Sequence, residues 1–89
     1  MKQSIQLKIA GKVQGVGFRY FCREKARLHS ISGFVKNLPD GSVYAEAEGN
    51  PENLRAFVEC CRVGPPASRV TLFESAPQPL CNYVNFEIR

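Results

Sequence analysis

Hydrophobic and polar residues alternate in several short segments of the chain, and this period of two predicts β-strands with one buried face. Ile5, Leu7 and Ile9 alternate with polar or small neighbours, so we expect a first strand from about Ser4 to Ala10. Further strands are predicted at residues 31–38, 43–48, 70–73 and 84–88, with Pro77 and Pro79 in a loop before the last one. Pro39-Asp40-Gly41 has the residues of a tight turn, so the second and third strands should form a hairpin.

Two other segments carry apolar residues three and four positions apart, which is the spacing of one helix face. The first contains Phe18, Phe21, Cys22 and Ala26 and should run to about Leu28. The second contains Leu54, Phe57, Val58 and Cys61. Asn50 and Pro51 suit its start, and Gly64-Pro65-Pro66 should end it because proline cannot continue the helical hydrogen bonds.

The order of these elements is β-α-β-β-α-β, and the pattern allows one extra edge strand at the C-terminal end. Each helix has one apolar stripe and each strand one apolar face, so both helices should pack on one face of an antiparallel sheet. The prediction is an α+β fold, a ferredoxin-like sandwich formed by residues 1–89 as a single domain.

Composition and cysteine spacing place the protein in a general class. Hydrophobic residues make up 44% and charged residues 22% of the chain, and no signal region or bilayer-length apolar run is present. Cys22, Cys60, Cys61 and Cys81 with the single His29 match no zinc spacing, so we expect no metal. Cys22 and Cys61 should be small buried thiols, and a disulfide bond between them is the alternative. We expect a soluble cytoplasmic monomer with no membrane partner.

Charge is distributed unevenly along the chain. Residues 1–37 contain eight Lys and Arg against one Glu, a net +7, whereas residues 38–89 have four against seven, a net −3. A positive field over the first part of the chain favours an anionic partner, either small or polymeric.

The segment from Gly11 to Arg19 has the properties of an anion site. Gly15 and Gly17 let the backbone turn tightly just before a helix, whose first N–H groups and positive dipole end suit a phosphate. Arg19 in the first turn opposes that dipole, at a cost of about 0.3 to 1 kcal/mol that a bound anion would offset. Tyr20 replaces the last glycine of the dinucleotide fingerprint, and no Gly-Lys-Ser/Thr follows, so neither standard nucleotide pattern is met.

A second motif consists of Gly33, Phe34, Val35, Asn37, Asp40 and Gly41. With Gly11 to Arg19 it resembles the acylphosphatase family over nearly the whole chain. The resemblance implies a hydrolase that converts acyl phosphates into a carboxylate and inorganic phosphate without a cofactor. It implies that Arg19 binds phosphate and that Asn37 orients the attacking water. The predicted phosphate-binding groups are the loop amides and the Arg19 guanidinium, in the set Gln14, Gly15, Val16, Gly17, Phe18 and Arg19.

The chain departs from the family pattern in two places. His29-Ser30 stands where the family usually has Leu-Gly, so no glycine is available for a left-handed helix end there. Phe34 stands where tryptophan is commonest. Neither change affects Arg19 or Asn37.

Two alternative functions remain open from the sequence. A non-catalytic module that binds an anion or RNA would suit the basic first half, but RNA-binding sheets of this type expose stacked aromatics. The first strand here has no aromatic residue and the third has only Tyr44, so we expect no nucleic-acid partner.

The other alternative is a module of a larger enzyme, and a chain ending at Arg89 favours a free-standing enzyme. A mechanism through a phosphocysteine intermediate needs a cysteine six residues before the phosphate-binding arginine. Val13 occupies that position before Arg19, so this mechanism is not expected.

Overall fold

A computed structural model describes all residues from Met1 to Arg89 and has the predicted order of elements. The strands are β1 (Gln3–Lys12), β2 (Ser32–Asn37), β3 (Val43–Gly49), β4 (Arg69–Gln78) and β5 (Phe86–Ile88). The helices are α1 (Phe18–Leu28) and α2 (Pro51–Val63). Neither helix has the length and hydropathy that a membrane-spanning helix needs. The predicted β-α-β-β-α-β sandwich is confirmed, with β5 as the extra edge strand.

The five strands form one sheet in the order β4-β1-β3-β2-β5. The first four strands pair in antiparallel fashion, whereas β5 runs parallel to β2, with Ile88 opposite Val35. The predicted antiparallel pairing is therefore confirmed for the first four strands, and the extra edge strand adds one parallel pair. The connection from β4 is held at the end of the sheet where β2 begins, because Glu48 Oε1 accepts from the backbone N–H of Tyr83 at 3.1 Å. From that point the chain can only add a strand by running in the direction of β2.

The strand β4 is longer than predicted and includes Pro77, so the prediction of a loop at Pro77 is wrong. Pro77 pairs with Ile5 at the edge of the sheet. An edge strand tolerates proline because it has one side with no hydrogen bonds to make.

The core lies between the two helices and one face of the sheet. Fourteen buried residues form a single cluster, which includes Leu7, Ile9, Val35 and Val43 from the strands and Phe18, Cys22, Phe57 and Cys61 from the helices. The Sγ atoms of Cys22 and Cys61 lie 3.8 Å apart as free thiols. The contact with Cys22 and burial raise the pKa of the Cys61 thiol. These two residues are the small buried thiols that the sequence predicted.

Candidate functional site

A cavity of about 190 Å³ brings the two motifs together. Arg19 from the first turn of α1 and Asn37 from the end of β2 both line it. The other lining residues are Val13, Gly15, Gly17, Phe18, Tyr20 and Ile88. Arg19 is the only charged residue among them, so the electrostatic character of the cavity favours an anion.

A larger concavity lies elsewhere on the protein. It has a volume of about 670 Å³ and is lined by residues of β1 and β4 together with Tyr44. Its two charged residues, Lys8 and Glu74, have charges of opposite sign. The smaller cavity is the better candidate site because a guanidinium, a helix N-terminus and a free amide converge there.

The glycine loop keeps this cavity open. Gly15 and Gly17 have φ of 73° and 79°, in the left-handed region that glycine adopts without strain. A Cβ atom built on either residue would meet nothing within 4 Å, so the space beside them is free. Gly17 caps α1 without any side-chain hydrogen bond, and the first turn contains no acidic residue. The first N–H groups of α1 and the positive end of its dipole are therefore available to an anion.

Arg19 is half-buried and has no carboxylate partner. Its Nη1 donates to the backbone carbonyl oxygen of Arg89 at 3.5 Å, a long hydrogen bond. The contact holds the guanidinium at the wall of the cavity and leaves its other N–H donors free. A planar guanidinium can bind two oxygens of one phosphate at once.

Asn37 is half-buried at the end of β2, where its backbone pairs with Val43. Its side-chain amide makes no hydrogen bond to the protein, unlike that of Gln14 nearby. An amide that lines a cavity and has no protein partner can bind water or substrate.

The structure places the predicted phosphate-binding residues in two groups. Gly15, Gly17, Phe18 and Arg19 line the cavity, whereas Gln14 and Val16 do not. The side chain of Val16 packs against the core, and Gln14 Nε2 donates to the carbonyl oxygens of Leu38 and Ser42 at 2.9 Å each. Only the backbones of these two residues remain candidates for phosphate binding.

Sequence reasoning missed three lining residues, namely Val13, Tyr20 and Ile88. Val13 and Tyr20 flank the glycine loop and could have been found from that position alone. Ile88 carried no signal, because its place depends on the parallel pairing of β5 with β2.

Asp40 of the β2–β3 turn is an ionised structural residue. Its Oδ1 accepts from the hydroxyl and backbone N–H of Ser42, and Lys8 Nζ lies 3.2 Å from its Oδ2. The hydrogen bonds from Ser42, together with Lys8, lower the pKa of Asp40 to about 2. So acidic a carboxyl is a poor proton acceptor at neutral pH.

The aromatic residues of the open sheet face are already in contact with one another. The Phe34 ring is buried, with Tyr44 and Tyr83 at ring-centroid distances of 5.9 Å each and Arg89 Cζ 4.2 Å from its centroid. Its faces are therefore occupied by side chains of the protein, and a nucleic-acid base has no free ring there on which to stack.

Comparisons with known proteins show the family of the chain. Residues 5–88 match the family model described as Acylphosphatase. A relative from Archaeoglobus fulgidus described as an acylphosphatase is 44% identical over 85 residues, 96% of each chain. Another from Thermotoga maritima is 40% identical over 90 residues, covering 98% of this chain and 97% of the relative. The crystal structure of acylphosphatase from Bacillus subtilis superposes with a TM-score of 0.95 at 38% identity, over 100% of this chain and 99% of that one.

Proposed function

The chain belongs to the acylphosphatase family and is an acyl phosphate hydrolase; from this premise we propose that the reaction takes place in the cavity lined by Arg19 and Asn37. The observation that carries the proposal is that one small cavity contains both a guanidinium and a side-chain amide that have no competing side-chain partner.

In the proposed complex the phosphoryl group lies against the glycine loop. The backbone N–H groups of residues 14–19 and the guanidinium of Arg19 hold its three oxygens. Arg19 supplies a fork of donors, while the N-terminus of α1 adds its partial positive charge. The absence of acidic residues from the cavity supports this arrangement, since no carboxylate there would repel a dianion.

The proposed chemical step is an in-line attack by water on phosphorus. The new bond joins the water oxygen to phosphorus, and the bond between phosphorus and the acyl oxygen breaks with its electron pair going to the carboxylate. Asn37 orients the water by hydrogen bonding, and a phosphoryl oxygen takes the proton because an amide cannot act as a base. Acyl phosphates have a good leaving group, so positioning and charge stabilisation suffice, and we propose that no metal is needed.

The experiment that tests this proposal is phosphate release from benzoyl phosphate by the native protein, Arg19→Ala and Asn37→Ala. We expect both variants to lose at least about 100-fold in kcat/KM while staying folded, because each loses a contact made to the reacting group. Arg62→Ala is the control, since Arg62 lies on α2 and pairs with Glu59 far from the cavity. Equal rates for all four proteins would refute the proposed site, and loss of activity with a chelator would refute metal independence.

We further propose that the enzyme works as a cytoplasmic monomer on a small-molecule substrate, with inorganic phosphate as product and no nucleic-acid partner. The close pair of unbridged thiols, Cys22 and Cys61, suits a reducing compartment. The buried Phe34 ring supports the absence of base stacking. Sedimentation velocity with and without single-stranded RNA would detect either a dimer or a complex.

A further inference from the structure

A second cavity, of about 230 Å³, lies beside α1 at the beginning of β5. Its lining residues are Arg23, Arg27, Ile31, Asn85 and Phe86. Two guanidinium groups and one side-chain amide therefore meet at a cavity with no acidic lining residue. A binding site for a carboxylate or phosphate has the same combination of groups.

One donor of Arg23, a residue that lines this cavity, is unsatisfied. Its Nε is buried and has no hydrogen-bond partner, the only such side-chain atom in the structure. The nearest carboxylate oxygen, Oε2 of Glu24, is 3.9 Å away, which is too far for a hydrogen bond. A ligand does not reach an Nε that has no exposed surface, but the Arg23 side chain is 36% exposed overall, so its Nη groups are the donors that an anion in the cavity would contact.

Glu24 pairs with Arg27 rather than closing the cavity. The Nη1 of Arg27 lies 3.0 Å from Oε2 of Glu24, and the Arg27 side chain is 69% exposed. Solvent screens an exposed pair of this kind, so an incoming anion can share or replace it at little cost. Glu24 itself does not line the cavity.

The cavity lined by Arg19 and the cavity lined by Arg23 both lie beside α1 and β5. Arg19, Arg23 and Arg27 are four residues apart and share one side of α1, so Arg23 and Arg27 lie about 6 and 12 Å along the helix axis from Arg19. On β5, Ile88 lines the first cavity and Phe86 the second. Tyr20 lies between them, because it lines the first cavity and the centroid of its ring is 5.2 Å from Cζ of Arg23.

We propose that Arg23, Arg27 and Asn85 form a second anion subsite that binds a carboxylate or phosphate at the far end of the acyl group. The preferred substrates are then acyl phosphates with two anionic ends, the phosphoryl group at Arg19 and the other anion at Arg23. This inference rests on the proposed function, because it assumes that the phosphoryl group occupies the first cavity.

Two rigid substrates of similar shape test the inference, 4-carboxybenzoyl phosphate and 4-methylbenzoyl phosphate. The native protein should have a kcat/KM for the carboxylate roughly 10-fold or more above that for the methyl compound. In the variant R23Q/R27Q the ratio should fall to about one, mainly through KM, because a charge-assisted contact is lost. The control R55Q/R62Q removes two exposed charges from α2 and should keep the native ratio.

A preference of the same size in both double variants would overturn the subsite while leaving the proposed function intact. If neither compound is hydrolysed, the proposed function is refuted. A binding measurement then tests whether the subsite exists. The probe is then 4-carboxyphenacylphosphonate, a non-hydrolysable analogue, observed at the Arg23 Nε–H resonance by NMR. A saturable shift that R27Q weakens supports the subsite, and an unchanged resonance refutes it.

Discussion

The side-chain nitrogen of Gln14 lies 2.9 Å from the carbonyl oxygen of Leu38, 24 residues further along the chain. A second hydrogen bond of the same length joins it to the carbonyl oxygen of Ser42. One amide thus fastens the loop that precedes Arg19 to the hairpin that follows Asn37. We expect the separation of the two proposed catalytic residues to depend on this contact.

Replacing Gln14 by Glu should therefore lower both stability and activity. A carboxylate cannot donate, so two carbonyl oxygens lose their partner and face a negative charge instead. We expect a loss of about 2 to 3 kcal/mol in the free energy of unfolding, measured by urea denaturation, and a lower kcat/KM. Gln3→Glu makes the same chemical change at an exposed position and should leave both quantities unchanged. A native-like Gln14→Glu would show that the contact does not set the geometry.

Arg19→Lys should separate charge from geometry at the phosphate. Lysine keeps the positive charge but lacks the planar fork, so it cannot bind two phosphoryl oxygens side by side as a guanidinium does. We expect kcat/KM for benzoyl phosphate to fall about 10- to 100-fold, less than in Arg19→Ala. Arg62→Lys serves as the matched control. A fully active Arg19→Lys would show that charge alone is sufficient.

Gly33→Ala should destabilise the protein more than Gly15→Ala. A Cβ on Gly33 would lie 1.9 Å from the carbonyl oxygen of Glu46, so β2 and β3 would have to separate, and we expect a loss of about 3 kcal/mol or more. A Cβ on Gly15 meets no atom, so only the positive φ costs energy, about 1 to 2 kcal/mol. Urea denaturation should rank them in that order, and similar losses for both would contradict the steric argument.

Ser30→Gly should stabilise the protein. Ser30 has a φ of 57°, and the N–H of Ile31 donates to the carbonyl oxygen of Ala26 at 2.8 Å, which is the hydrogen bond of a left-handed helix end. Glycine takes this conformation without strain, so we expect a gain of about 0.5 to 1 kcal/mol and a rise in Tm of several degrees. Ser30→Ala keeps the strain and should give no gain. A lower Tm for Ser30→Gly would count against this explanation.

Stability should fall in acid partly because of Glu46. Burial alone would raise its pKa, but hydrogen bonds from Tyr44, Tyr83 and Gln78 outweigh burial, and the pKa of Glu46 is lowered from 4.5. A carboxyl with a lowered pKa in the folded state stabilises the protein above its unfolded pKa, and this contribution is lost as the pH falls below 4.5. Urea denaturation from pH 7 to pH 3 should show a shallower decline for Glu46→Gln than for the native protein. Identical slopes would exclude Glu46 as a source of the acid sensitivity.

Most of the fold could be predicted from local pattern. The helix stripes and the cap at Asn50, whose side chain accepts from the N–H of Asn53, are set by neighbours in sequence. The parallel pairing of β5 was not predictable, because it depends on contacts of the connecting segment with Glu48, which no local pattern records. Ser30 shows the reverse case, since packing of Ile31 in the core imposes a left-handed residue where the sequence offers no glycine.

For the candidate site, Arg19 and the glycines could be chosen on physical grounds because helix dipole, loop and guanidinium coincide within five residues. Asn37 could be chosen only from the family resemblance, since an asparagine beside a turn has an ordinary structural role. The role of the Gln14 side chain could not be predicted from its place in the loop, because its hydrogen-bond partners, Leu38 and Ser42, lie 24 and 28 residues away.

Arg19 and Arg89, whose contact forms part of the wall of the site, are 70 residues apart in the sequence. This is one of the largest sequence separations between contacting residues in the molecule. Contacts of such high sequence separation carry a large loop-closure entropy and form slowly. An intermediate with α1 and the hairpin in place but β5 still undocked would have the glycine loop without Ile88 beside it. During refolding, we expect far-UV circular dichroism to recover before enzymatic activity does, and the lag between the two signals would report the docking of β5.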